Sequence, residues 1–161
     1  MRMTTFNFFA GTALALGLSL AQAAGKPAAS APAPAAKPVD PVLTQAAKET
    51  GAKVLPNGVV VRTLKAGTGA APTDTSTVTV HYKGTFPDGR VFDASPAGQP
   101  ISFPLNHVIS CWTLGVQQIK VGGKAKLTCP ANTAYGERGA PPDIPPNAVL
   151  VFEVELLKIG Q

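Results

Sequence analysis

Alternation of apolar and polar positions dominates the second half of this chain. In "AVLVFEVELLKI" the residues Leu150, Phe152, Val154 and Leu156 fall on one face, with Glu153 and Glu155 on the other. That period of two predicts a half-buried strand. "TVTVHYKGTF" reads the same way, placing Val78, Val80 and Tyr82 opposite Thr77, Thr79, His81 and Lys83. Asp88-Gly89 follows, then "RVFDAS", so a hairpin turn is expected with Phe92 and Asp93 on the returning strand. "GVVVRTLKAG" and "KAKLTCP" are further strand candidates, and Pro104 confines "ISFPL" to an edge or a strand end. The helical period is clear in one place, "SCWTLGVQQIKVGG". There Trp112, Val116 and Ile119 share a stripe, Ser110 is placed to cap the start, and Gly122-Gly123 to stop the helix. With Gly115 inside it and only about three turns, this helix needs a sheet to pack on. Five or so strands and one short helix predict an antiparallel α+β domain with one sheet face covered.

The first half reads differently. A short basic start, an apolar run thirteen residues long, "FFAGTALALGLSL", and the small-residue run "AQA" read as a secretory signal, residues 1–23, with cleavage expected after Ala23. A membrane anchor is the competing reading, but a span needs about 20 apolar residues. "GKPAASAPAPAAKPVDP" is Ala, Pro, Lys and Ser almost throughout, so residues 24–45 are expected to be a linker of polyproline character. "VLTQAAKETGAKVL" offers at most a frayed helical turn. The folded unit is expected over residues 46–161.

Composition narrows the function classes. Without the signal, thirteen basic residues stand against nine acidic ones, a net charge of +4, and they are scattered, which argues against nucleic-acid binding. His81 and His107 are too few and too far apart for a metal centre, and no cofactor motif is present. Cys111 and Cys129 form an even pair in an exported chain, where a disulfide is the commoner outcome. A redox exchanger would need a CxxC spacing that they lack. No nucleophile–base arrangement is visible. What remains is a set of aromatic residues at the ends of elements, Tyr82, Phe92, Phe103, Trp112, Tyr135 and Phe152, which fit either a core or the lining of one pocket.

"VTVHYKGTFPDGRVFDAS", "VISCWTLGVQQIKVGGKAKLT" and "AYGERGAPPDIPPNAVLVFEVELLKI" resemble, in order and spacing, the FKBP-type peptidyl-prolyl cis-trans isomerases, the macrolide-binding immunophilins. The resemblance extends over residues 56–160. It implies a half-barrel, a twisted antiparallel sheet wrapped round the short helix, and an isomerase of X–Pro bonds. The implied catalytic residues are Tyr82, Phe92, Asp93, Trp112, Tyr135 and Phe152, with Trp112 as the floor. Ile101, Phe103, Val108, Ile109 and Ile144 are implied to complete the substrate pocket. The Ile109 N–H and the Tyr135 hydroxyl are the implied donors, and the proline-rich loop the flap. Proline-containing polypeptides are the expected partners, and tacrolimus or rapamycin the expected class of inhibitor. The expected state is a monomer, free of the membrane once the signal is removed, in the bacterial periplasm or the medium.

Three positions depart from the family pattern. Ile101 stands where a second aromatic is frequent, and Ala140 where the flap often has a histidine. "ASPAGQP" lacks the arginine that often pairs with the pocket aspartate, leaving Asp93 to Tyr82 alone or to Arg90. A proline-peptide binding module or holding chaperone using the same pocket is the alternative function.

Overall fold

The computed structural model describes residues 40–160; the expected signal and most of the expected linker lie outside them. Among the described residues the strands are β1 (Ala52–Val54), β2 (Val60–Lys65), β3 (Thr77–Thr85), β4 (Val91–Ala94), β5 (Ile101–Pro104), β6 (Lys124–Cys129) and β7 (Leu150–Gly160). They form one antiparallel sheet in the order β1-β2-β6-β7-β3-β4, with β5 also paired to β3. The last strand therefore sits in the middle. β4 and β5 share the far side of β3, opposite Lys83–Thr85 and Thr77–Val80 respectively.

Alternation sorts side chains onto two faces. Leu127 pairs with Val61 and Phe152, Val154 with Tyr82, and Leu156 with Val80, so these residues share the inner face. Across this face lies helix α2 (Ser110–Val116). Val61, Val78, Val80, Val116, Leu127, Val154 and Leu156 are almost fully buried between them. The turn after β3 closes with Phe86 N–H donating to the Arg90 carbonyl at 2.8 Å. Gly89 takes φ +90° there, a conformation that excludes most other residues.

The helix is shorter than the sequence suggests. Ile109, not Ser110, is the N-cap, no side chain caps it, and it ends at Val116, well before Gly122-Gly123. The chain leaves it through backbone bonds from Gln118 to Gly115 and from Ile119 to Val116. Ile119 is nonetheless buried with Trp112 and Val116, because the turn continues the same apolar stripe. A disulfide joins Cys111 to Cys129 across a Cα separation of 5.7 Å.

A second helix, α1 (Pro41–Ala47), occupies part of the stretch expected as linker, so regular structure begins before residue 46. Asp40 accepts from the Val42 N–H at 2.9 Å and Pro41 stands at N1, a strong start signal. Just beyond it, Glu49 accepts from Arg62 at 2.7 Å and Lys126 at 2.9 Å, two neighbours on the outer face of β2 and β6. α1 therefore packs against the outer face through Ala46 and this ion triad.

Candidate functional site

Trp112 lies in the first turn of α2, over the inner face of the sheet. Three rings meet it edge-on: Tyr82 of β3 at 5.2 Å between centroids, Phe103 of β5 at 5.6 Å and Phe152 of β7 at 5.5 Å. The interplanar angles are 81° to 87°, the geometry that opposes a ring's positive edge to the indole's negative face. Phe92 of β4 extends the cluster by meeting Phe152 at 5.5 Å and 86°. Five of the sequence-selected aromatics are thus brought together by four strands and one helix. Trp112 and Phe152 are buried; Tyr82, Phe92 and Phe103 are only partly covered, so the cluster is open on one side.

Two further contributors carry no strong signal in the sequence. Phe86, at the start of the β3–β4 turn, meets Phe92 at 5.1 Å with the rings tilted by 52°, and the Arg90 guanidinium lies over it at 4.9 Å. Gly84, opposite Phe152 on β3, leaves room for both neighbouring rings. A Cβ there would lie 2.7 Å from Phe92 and 3.0 Å from Phe152. Its absence lets Phe92 lie flat on the strand.

Polar groups are few and sit at the rim. The Tyr82 hydroxyl donates to Asp93 Oδ2 at 2.7 Å. Arg90 does not reach that carboxylate: it donates to Asp88 at 2.7 Å instead, two residues away. The choice left open by the missing loop arginine is therefore settled for Tyr82. Burial, then the bond to Asp93, pushes the Tyr82 hydroxyl well above the ordinary tyrosine range. Tyr135 is raised too, first by burial and then by the Asp93 charge, which places its phenol in the same neighbourhood although it is 40% exposed. Its hydroxyl has no hydrogen-bond partner among the described residues, nor has the Ile109 N–H, whose own carbonyl accepts from Trp112 and Thr113.

The proline-rich loop from Gly136 to Val149 is braced internally. Ala140 and Ile144 exchange backbone bonds at 2.8 and 2.9 Å, and Asn147 donates to the Gly136 carbonyl at 2.9 Å. Ile144 is buried in the core, and Val108, Ile109, Ala140 and Ala148 pack against that core partly covered. Ile101 lies across from Val80 on β5, on the same side as Phe103 two residues on, and is half-buried. The outer face also carries a groove, between α1 and the β3–β4 turn, bordered by Glu49, Lys126 and Glu153. Its charges are already paired with Arg62 and Lys124 as well as one another, and Phe86 is its one aromatic, so the inner basin is the better site. No cluster of potential metal ligands occurs among the described residues.

The inner face of the sheet thus carries an aromatic cluster open on one side, with Ile144 of the braced loop buried in the same core. The chain belongs to the family described as "FKBP-type peptidyl-prolyl cis-trans isomerase", whose model matches residues 69–157. It is 52% identical over 114 residues to the FKBP-type isomerase FkpA of Escherichia coli K12, covering 70% of this chain and 42% of that protein. The 22 kDa FKBP-type isomerase of the same organism is 48% identical over 118 residues, covering 73% of this chain and 57% of the relative. This chain thus spans about two fifths to just over half of those relatives. Among solved structures, a peptidyl-prolyl isomerase of Pseudomonas syringae pv. tomato superposes with a TM-score of 0.71 at 39% identity, covering 74% of this chain and 89% of its own.

Proposed function

We propose that this protein accelerates rotation about X–Pro bonds in exported polypeptides, using the Trp112 basin. The observation that supports it most directly is the open ring cluster of Tyr82, Phe92, Phe103, Trp112 and Phe152, bordered by donors without internal partners. Resonance gives the imide C–N bond a rotation barrier of about 18–20 kcal/mol. That resonance form separates charge, so an apolar surround disfavours it relative to the twisted bond. A prolyl ring laid on the indole loses its water. The Ile109 N–H or the Tyr135 hydroxyl then holds a substrate carbonyl more tightly in the twisted geometry than in the planar one. Only such differential binding lowers the barrier, and no acid, base or nucleophile is needed. The Tyr82–Asp93 bond steadies one side of the basin, and burial of Ile144 in the same core supports a role for the braced loop as its flap.

Uncatalysed isomerisation takes tens to hundreds of seconds, which makes it a rate-limiting step for folding clients. The signal expected over residues 1–23 supports action outside the cytoplasm, in the periplasm. Family membership supports proline-containing chains as substrates and macrolides of the tacrolimus and rapamycin class as inhibitors, with a monomer as the working form. The test is relaxation of a short X–Pro peptide with wild type, Asp93→Leu and Phe152→Ala. Wild type is expected to accelerate it and tacrolimus to abolish the effect, with Phe152→Ala losing most of the rate and Asp93→Leu less. Relaxation at the spontaneous rate, together with suppressed aggregation of an unfolded client, would establish the holding chaperone instead.

A further inference from the structure

We propose that the Cys111–Cys129 disulfide is a positioning element of the site, holding the Trp112 indole at the orientation that isomerisation requires. The inference rests on the isomerase reading above. α2 has seven residues, no side-chain cap and no charged residue complementing its ends. A helix of two turns has little stability of its own, so its rotation about its axis is set by what it touches. Two contacts tie it to β6. Cys111 and Gly115, one turn apart on the same face, meet Cys129 and Leu127, two residues apart on the inner face of the strand. The Gly115 contact is so close that a Cβ would lie 2.9 Å from Leu127. Close packing at that point limits how near the helix approaches. It does not by itself prevent the first turn from rolling or lifting.

The disulfide restrains that first turn. Trp112 directly follows Cys111, and the Ile109 N–H lies two residues before it. Leu127, the strand side of the second contact, is paired with Phe152, whose ring meets the indole at 5.5 Å. Covalent linkage of Cys111 to β6 thus fixes the indole relative to the sheet whose strands β3, β5 and β7 supply its ring neighbours. Both cysteines are fully buried, which suits a permanent linkage. Displacements of about 1 Å in such a constellation can cost about a hundredfold in rate.

The chain has a single tryptophan, so its emission reports this position alone. The experiment compares oxidised wild type, Cys111→Ala/Cys129→Ala, and wild type reduced by a small dithiol. In the last, the reagent closes to its own disulfide as two electrons and two protons pass to the pair. Each form is measured at a temperature where circular dichroism shows it folded. The expected result in both thiol-free and reduced forms is an unchanged fold, red-shifted emission with easier acrylamide quenching, and a kcat/KM at least tenfold lower. Wild-type emission and a kcat/KM within twofold in either folded form would overturn the proposal, leaving the bond a stabiliser only. Failure of both altered forms to fold would overturn it too, since the bond would then be a requirement of the fold. An oxidised wild type without isomerase activity would sink the functional reading, while emission and quenching would still decide whether the bond holds the indole.

Discussion

The two faces of the sheet are built from the same strands by opposite means. On the inner face, the partners of Trp112 are rings, and the phenols of Tyr82 and Tyr135 are held above the usual tyrosine value near 10, first by burial. On the outer face, α1 is held by Glu49 between Arg62 and Lys126, beside the Lys124–Glu153 pair. Period-two alternation sends Leu127 inward and Lys126 outward from adjacent positions. The difference teaches where function and pH sensitivity separate. Charge-separated imide resonance is disfavoured by an apolar surround, so the proposed working face keeps its carboxylate, Asp93, at the rim against the Tyr82 hydroxyl, while the supporting face can use ions freely.

The sharpest way to break this division is on the inner face. Trp112→Ala removes the residue on which rings from three strands converge. It should cost about 3–5 kcal/mol of stability and lower kcat/KM by about a hundredfold or more at a temperature where the variant is still folded. Denaturant unfolding and peptide relaxation measure the two effects separately. Retained activity in a folded Trp112→Ala protein would show that the basin is not the site. A subtler variant, Gly84→Ala, adds one methyl group where Phe92 lies 2.7 Å from the new Cβ. Phe92 must then move off the strand, away from Phe152. About 1–3 kcal/mol of overpacking and about a tenfold loss of kcat/KM are expected, with an unchanged far-ultraviolet spectrum.

The two faces were also unequally legible in the sequence. Strands β3 and β7 could be read because their alternation is nearly perfect, and the Asp88-Gly89 turn because few sequences other than a hairpin use it. The aromatic set could be chosen, since large rings at element ends have few other places to go. Gly84 and Phe86 could not, because their role depends on which ring crosses which strand, a property of tertiary register. α1 was obscured for a different reason. Its Ala-rich, Pro-flanked composition reads as linker, and the groups that hold it to the sheet are 13 and 77 residues away from Glu49. The Asp40-Pro41 start was the local clue. α2 was overextended because Ile119 keeps the apolar stripe after helical hydrogen bonding has ended.

On the outer face, Glu49→Gln should lower stability by about 1 kcal/mol, the scale of partly exposed ion pairs, or about 5 °C in Tm for a domain of this size. Activity should be unchanged. The hydrogen bond from Lys126, then that from Arg62, holds the Glu49 carboxyl below its ordinary value. A depressed folded-state value means that the stabilisation is present above the unfolded-state pKa of about 4.3 and is lost as pH falls through the folded-state value. Wild type and Glu49→Gln should therefore differ in Tm at neutral pH and converge in acid. A kcat/KM that fell with the variant would join the two faces into one functional unit.

The smallest effect is expected from Arg90→Ala, and its smallness is informative. Arg90 lies three residues from Asp93 and is the one cation the chain offers in place of the missing loop arginine. In the structure it is bound to Asp88 at 2.7 Å and rests over Phe86, while Asp93 takes its hydrogen bond from Tyr82. Arg90 and Asp88 are both exposed, so their pairing is screened by water and contributes little to stability. Arg90→Ala should leave Tm within measurement error and kcat/KM within about twofold, whereas Tyr82→Phe, which frees the Asp93 carboxylate, should lower kcat/KM several-fold more. If the order were reversed, a cation would belong to the proposed working face, and the separation between an apolar basin and an ionic supporting face would fail at its rim.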